Sequence, residues 1–204
     1  MYSEDWPVLI ICPSSLKLIW KHEILKWLST EIPENQIQVF ETGKDDFNKS
    51  AKVFIFSYEL ATKMSDKINY MEFKVVIADE AHYLKSRDAK RSKLLLPIIT
   101  ESKRALLLTG TPMMSRPIEL FNLLKALRPD MVRGFYDYAQ RYWNPKESKL
   151  FYLIIFFFID AYGTDFNGAS CMKELHYVLE KWFMIRRLKK VLSELPEKRR
   201  QKLI

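Results

Sequence analysis

The sequence predicts an α/β fold, a mostly parallel sheet with helices on both faces, followed by an α-helical extension. Three observations lead there. Short apolar runs alternate with longer stretches of helical period, as they do in chains of β/α units. The first run, Val8–Cys12, is apolar throughout and bounded by Pro7 and Pro13, which suits a strand buried on both faces. Two later runs end in short polar turns, the place where open α/β sheets carry their ligands.

After the first strand, Ser14 and Ser15 can cap a helix in which Leu16, Ile19, Trp20, Ile24 and Trp27 recur at helical spacing as an apolar stripe. Residues 37–40, 53–57, 75–79 and 105–109 are then strand-like, rich in β-branched or large apolar side chains. Their order in the sheet is not encoded locally. From Pro117 onward the pattern is helical: Ser115 suits an N-cap, Pro117 the first turn, and Leu120, Leu123, Leu124 and Leu127 form a stripe that Pro129 ends. Further helical regions are expected around residues 135–143 and 172–195. The chain thus divides into an α/β part, residues 1–127, and a helical extension, residues 128–204.

Composition excludes several classes. With 204 residues, 48% hydrophobic and 28% charged, the chain can bury a sizeable core and is neither disordered nor collagen-like. Cys12 and Cys171 lie far apart and have no Cys-x-x-Cys spacing, so neither a disulfide framework nor a zinc site is expected, and a reducing compartment is. The first six residues carry two acids and no basic region, unlike a secretory signal. The longest apolar run, residues 150–159, is about half of a bilayer span, so no membrane partner is expected. That run has no charge and no period; it suits a buried strand or helix, and left exposed it would be an aggregation hazard.

The net charge of +8 is unevenly placed. Residues 85–104 hold seven basic and two acidic side chains, and residues 181–204 hold nine basic and two acidic. Concentrated positive charge favours a polyanion through phosphate contacts and counterion release. The alternative is a pair of solvated helix faces.

The strongest chemical signal is the run Val75-Val76-Ile77-Ala78-Asp79-Glu80-Ala81-His82, an apolar strand ending in adjacent carboxylates. Nucleotide hydrolysis needs such a pair: Asp79 can hold Mg²⁺, and Glu80 can orient and deprotonate the attacking water. A surface acidic turn is the plainer alternative. The second signal is Leu106-Leu107-Leu108-Thr109-Gly110-Thr111-Pro112, another strand entering a tight polar turn. Gly110 allows close backbone approach, and the threonine hydroxyls can reach a neighbour such as His82.

Together these residues resemble the Swi/Snf-type ATPases, DNA translocases of the superfamily-two helicase fold. Residues 79–82 match that family's Walker B box (Asp-Glu-Ala-His, a DEAH box), and residues 108–112 its third motif. Pro13-Ser14-Ser15 followed by Trp20 looks like the motif that contacts the DNA backbone, and Phe56-Ser57-Tyr58 like the next DNA-facing element. Met184-Ile185-Arg186-Arg187-Leu188-Lys189 and Leu195-Pro196-Glu197-Lys198 are similar to the passage towards the second lobe. RNA helicases with this acidic box usually carry Ser-Ala-Thr in place of Thr-Gly-Thr. Phe73-Lys74, His82-Tyr83-Leu84-Lys85-Ser86-Arg87, Arg116-Pro117, Arg141-Tyr142 and Gly168-Ala169-Ser170 resemble the annealing-helicase branch, which rewinds or remodels forked DNA.

The resemblance implies one RecA-like lobe, with Mg²⁺ and ATP as cofactors of the intact parent, forked or branched DNA as partner, further protein partners through other domains, and a place in the nucleus. It assigns Asp79 to the metal and Glu80 to catalysis. His82, Thr109, Gly110 and Thr111 would couple ATP to DNA. Ser14, Ser15, Ser57, Lys85, Arg87, Arg186, Arg187, Lys189 and Lys190 are candidates for DNA contacts. Two departures accompany it. No Gly-x-x-x-x-Gly-Lys-Thr loop (Walker A) occurs in the 204 residues. In the family that loop precedes the Pro-Ser-Ser strand, so the chain is expected to begin downstream of it, to lack the second lobe, and to be inactive in ATP hydrolysis by itself. The family is usually polar where residues 150–159 stand, and such a run is what translation of a pyrimidine-rich intron end would give. The alternative function is a non-catalytic DNA- or protein-binding lobe without nucleotide chemistry.

Overall fold

A computed structural model describes residues 3–110, 117–132, 134–143 and 170–185. They belong to two compact units, residues 1–170 and 171–204. The first is built on five parallel strands: β1 (Val8–Cys12), β2 (Ile37–Val39), β3 (Val53–Ser57), β4 (Val75–Ala78) and β5 (Arg104–Leu107). Their order across the sheet is β2-β3-β1-β4-β5, with every pairing parallel. Helix α1 (Lys17–Leu28) crosses from β1 to β2, while α2 (Tyr58–Lys63) and α3 (Ser65–Tyr70) lie between β3 and β4. Then α4 (Lys90–Glu101) joins β4 to β5, and α5 (Ile118–Leu127) and α6 (Phe135–Trp143) follow.

β1 is paired along both edges, with β3 and β4, and helices cover both of its faces, which is why its sequence lacks the alternation of a half-exposed strand. Leu9 and Ile11 face one side with Phe54, Phe56, Val76 and Ala78, where α2, α3, α4 and α5 pack. Ile10 and Cys12 face the other with Val53 and Ile55, where Ile24 of α1 packs. The first side is the larger. Its aromatic centre is Phe56, stacked on Phe40 with ring centroids 3.9 Å apart. The Cys12 thiol donates to the Phe56 carbonyl at 3.8 Å, and burial pushes its pKa up to about 12, so it packs as an apolar group.

The stripe on α1 is less buried than its spacing predicts. Ile24 is buried, and Leu16 and Trp20 are partly buried, but Ile19 is 54% and Trp27 71% exposed. Ile19 lies about 100° around the helix from Trp20 and so turns outward. Trp27 falls in the last turn, where its indole N–H donates to Glu23 at 2.8 Å and the Lys26 ammonium lies over its ring.

Pro129 follows the end of α5 as expected. Helix α6 packs on α5 within the first unit: the Phe121 ring meets Phe135 edge-on at 5.1 Å, and the Tyr138 hydroxyl donates to the Pro117 carbonyl at 2.9 Å. In the second unit α7 (Met172–Val178) continues into a π-helical turn, Leu179–Phe183. The expected N-cap Ser115, residues 150–159 and the remainder of the 172–195 helix lie outside the described residues. Among the described residues no helix is long and apolar enough to cross a membrane.

At the amino end of the sheet the buried carboxylate of Asp5 takes Lys103 Nζ at 2.8 Å and Arg104 Nε at 2.9 Å. The hydrogen bond from Lys103, followed by that from Arg104, holds this carboxyl below the usual carboxylate range, outweighing the opposite effect of burial. This clasp ties the turn before β1 to the start of β5.

Two outcomes are expected. Phe56→Ala should lower the unfolding free energy by about 3–5 kcal/mol, read as a lower urea midpoint at unchanged slope. For Asp5, a folded pKa below the unfolded value means that its stabilisation is complete above the unfolded pKa and lost as pH falls through the folded one. Wild-type stability should therefore fall more steeply than that of Asp5→Asn between about pH 5 and pH 1 in acid-unfolding curves.

Candidate functional site

The connection from β1 leaves towards β2, on one side of the sheet, and that from β4 leaves towards β5, on the other. The crevice at the carboxyl ends of β1 and β4 is therefore a topological switch point, where open α/β sheets bind ligands. Asp79 follows β4 directly into that crevice. Its backbone N–H donates to Ile11 of β1 at 2.8 Å, and its carbonyl accepts the Tyr58 hydroxyl at 2.8 Å. Its carboxylate is held as well: Oδ2 accepts the Trp20 indole N–H at 2.8 Å, and Oδ1 accepts the Glu80 backbone N–H at 2.9 Å.

Glu80 takes the left-handed conformation, φ 51° and ψ 49°, uncommon for a residue with a side chain. The sharp turn begins the 3-10 segment Ala81–Leu84 and lets the Ala81 N–H reach the Leu108 carbonyl at 2.8 Å. Leu108 in turn donates to the Ala78 carbonyl at 2.8 Å. The two polar turns expected from sequence are thus laced together, bringing Thr109 and Gly110 alongside the acidic pair. Among the described residues nothing lies within 4 Å of where a Cβ on Gly110 would sit, so packing against them does not demand glycine there. His82 Nδ1 is 3.0 Å from Glu80 Oε2, without the alignment of a hydrogen bond, and has no hydrogen-bond partner among the described residues. Thr111 lies outside the described residues.

Ser14 and Ser15 are exposed on the 3-10 turn Ser14–Leu16 at the carboxyl end of β1. Ser57 is buried, and its hydroxyl accepts the Leu60 N–H at 3.2 Å as the N-cap of α2. Lys85 pairs with Glu119 of α5 at 3.1 Å, and its carbonyl accepts Asn122 Nδ2 at 3.0 Å. Arg87 lies over the Phe135 ring of α6 at 4.5 Å. Both basic residues therefore already engage α5 and α6. Arg186, Arg187, Lys189 and Lys190 lie outside the described residues.

Sequence reasoning did not find the partners of Asp79. Tyr58 is buried, and its ring stacks on Tyr83 at 5.1 Å, with the planes 9° apart. Burial, then the charge of Asp79, push its pKa well up, so it remains a donor throughout the physiological range. The Phe56-Ser57-Tyr58 likeness marked this residue as DNA-facing; its position just past β3, on the same sheet edge as Asp79, is the signal for its bond to that residue.

Among the described residues no group of three or more His, Cys, Asp or Glu is arranged to hold a metal. Two adjacent carboxylates do fit Mg²⁺, which takes hard oxygens and usually shares one or two carboxylates with water and substrate phosphates. A cavity of about 420 Å³ lies elsewhere, lined by Ile68, Glu72, Lys74, Glu101 and Lys103 near the amino ends of β4 and β5. It is far from the acidic pair in the fold, and the switch point rather than this cavity marks the site.

The fold and site define a RecA-like α/β lobe with an acidic pair at the carboxyl edge of its sheet. The chain belongs to the SNF2-related domain family, whose profile matches residues 1–204. It is 44% identical over 208 residues to human DNA annealing helicase and endonuclease ZRANB3, covering 99% of this chain and 18% of that protein. Against the Xenopus laevis SWI/SNF-related matrix-associated actin-dependent regulator of chromatin subfamily A-like protein 1, it is 38% identical, covering 100% of this chain and 20% of the relative. The chain thus spans about a fifth of these relatives. The Sulfolobus solfataricus SWI2/SNF2 ATPase core, solved with double-stranded DNA, shares the fold with a TM-score of 0.69 at 21% identity, over 95% of this chain and 37% of that one. The Swi/Snf-type likeness read from the motifs, and its annealing-helicase branch, agree with these relatives.

Tyr58→Phe removes the hydroxyl and keeps the stack on Tyr83. It should cost about 1–2 kcal/mol, because it leaves the Asp79 carbonyl short of a donor. Urea unfolding beside wild type measures this; an unchanged midpoint would mean that the bond is not maintained in solution.

Proposed function

We propose that this chain holds part of the first lobe, residues 1–127, and the helical extension after it, of a DNA-dependent ATPase that anneals or remodels forked DNA in replication-fork repair, acting in the nucleus. Asp79 and Glu80 carry the reading: two carboxylates at the switch point of a parallel sheet, in a chain 44% identical to an annealing helicase. Mg²⁺ bound there would neutralise charge on the phosphate oxygens of ATP. Asp79 supplies its hard oxygen ligand. Glu80 orients the attacking water and takes its proton, with the His82 imidazole beside its carboxylate at 3.0 Å. His82, Thr109, Gly110 and Thr111 couple this edge to DNA through the laced turns.

Ser14 and Ser15 offer exposed hydroxyls to a phosphate, and the Arg186, Arg187, Lys189 and Lys190 cluster adds positive charge. Such contacts fix position along the backbone and read no bases. Lys85 and Arg87, already engaged with Glu119 and Phe135, contribute to the potential and brace α5 and α6. Residues 128–204 lead towards a second lobe, and further protein partners would bind through other domains.

The 204 residues contain no Gly-x-x-x-x-Gly-Lys-Thr loop to cradle the phosphates. The chain alone is therefore expected to release no phosphate from ATP, with or without forked DNA. In a chimera of the human relative whose matched segment is replaced by this chain, DNA-stimulated release should return. Glu80→Gln in that chimera should then lower turnover by about 10²–10⁴-fold while leaving affinity for forked DNA unchanged. Near-normal turnover in the variant would remove Glu80 from its role. The missing phosphate loop favours a second reading, a DNA- or protein-binding lobe without nucleotide chemistry. A chimera that binds DNA yet never hydrolyses ATP would support it.

A further inference from the structure

One hydrogen bond joins the two ends of the proposed machinery, from the Trp20 indole N–H to Asp79 Oδ2 at 2.8 Å, across 59 residues of sequence. Trp20 lies in α1, one helical turn past the Ser14–Leu16 turn whose serines are exposed. The indole is a donor only, with its N–H fixed in the ring plane, so it can hold just one orientation of the carboxylate. Asp79 Oδ1 takes the Glu80 N–H, and each oxygen keeps a further lone-pair direction open to a cation or its water. Partners of this kind behind a ligating carboxylate set both its direction and its affinity.

We propose that Trp20 is a positioning residue. Its indole N–H orients the Asp79 carboxylate and links it to the Ser14–Leu16 turn, so that an anion seated on the turn is felt at the acidic pair. This rests on reading Asp79 as the metal-binding carboxylate and the turn as a phosphate contact. The link is short and stiff: one turn of helix, one planar ring and one charge-assisted bond. Trp27 on the same helix is the built-in control, since its indole bonds Glu23 four residues away and is exposed.

The test uses indole N–H resonances of the ¹⁵N-labelled 204-residue chain. Trp20 is assigned with Trp20→Phe or, if that variant does not fold, from through-bond connectivities in wild type. Its indole proton should lie downfield of that of Trp27 and exchange more slowly with solvent. Asp79→Ala, which removes the acceptor, should move the Trp20 signal upfield and abolish its protection. Asp79→Asn, which keeps one neutral acceptor oxygen, should move it upfield by less, both leaving Trp27 unchanged. A short DNA duplex should shift Trp20 and not Trp27, and the double variant Ser14→Ala/Ser15→Ala should abolish that shift. A Trp20 signal indifferent to Asp79→Ala overturns the proposal. So does a chain that binds duplex in a retardation assay while Trp20 stays still, which leaves the functional reading standing. A chain that does not bind duplex overturns both.

Discussion

The carboxyl end of β4 depends on Asp79 being tied to three other elements at once: β1 through its N–H, α2 through its carbonyl, and α1 through its carboxylate. Each tie fixes a different degree of freedom. The bond to Ile11 continues the ladder one residue past the strand, so the carboxylate leaves the sheet at a set height. The Tyr58 hydroxyl stops the following peptide from rotating, and Trp20 sets the side-chain torsion. Next to these ties Glu80 holds a left-handed conformation that carries an intrinsic cost of roughly 1–2 kcal/mol. The strain is local and the bonds that offset it come from distant sequence, a common arrangement at catalytic edges.

Around that joint the two faces of the sheet differ. Among the described residues, α2, α3, α4 and α5 pack on one face and α1 on the other. Lys85 and Arg87 reach towards the α5 side, where Glu119, Asn122 and Phe135 receive them. The segment after the acidic pair is thereby fastened to α5 and α6, and motion of those helices has a direct mechanical path to Glu80.

β1 and β3 were the most legible strands, because each is a nearly continuous apolar run that burial on both faces makes strong. β2 and β5, which carry Gln38 and Arg104, give a weaker signal. The order of the strands was not legible, because the crossover that sets β1 between β3 and β4 is written in no single segment. Asp79 and Glu80 could be read from an eight-residue string, yet the partners of Asp79 could not. Trp20 and Tyr58 lie 59 and 21 residues away, and the motifs that contain them point to DNA and not to Asp79. Lys85 and Arg87 illustrate the opposite difficulty. A cation bound for Glu119 or Phe135 looks the same in sequence as one bound for a phosphate. Ile19 and Trp27 misled as well, since helical spacing does not say how wide the buried stripe is or where along the helix its cover ends.

Strand β5 has a sheet neighbour on one side only among the described residues, and its Leu106 side chain is 51% exposed. The other border, β2, is three residues long and offers little to pair with. Open backbone beside an exposed leucine is a template for a strand from another molecule. A strand added there would cover Leu106 and extend the sheet by one.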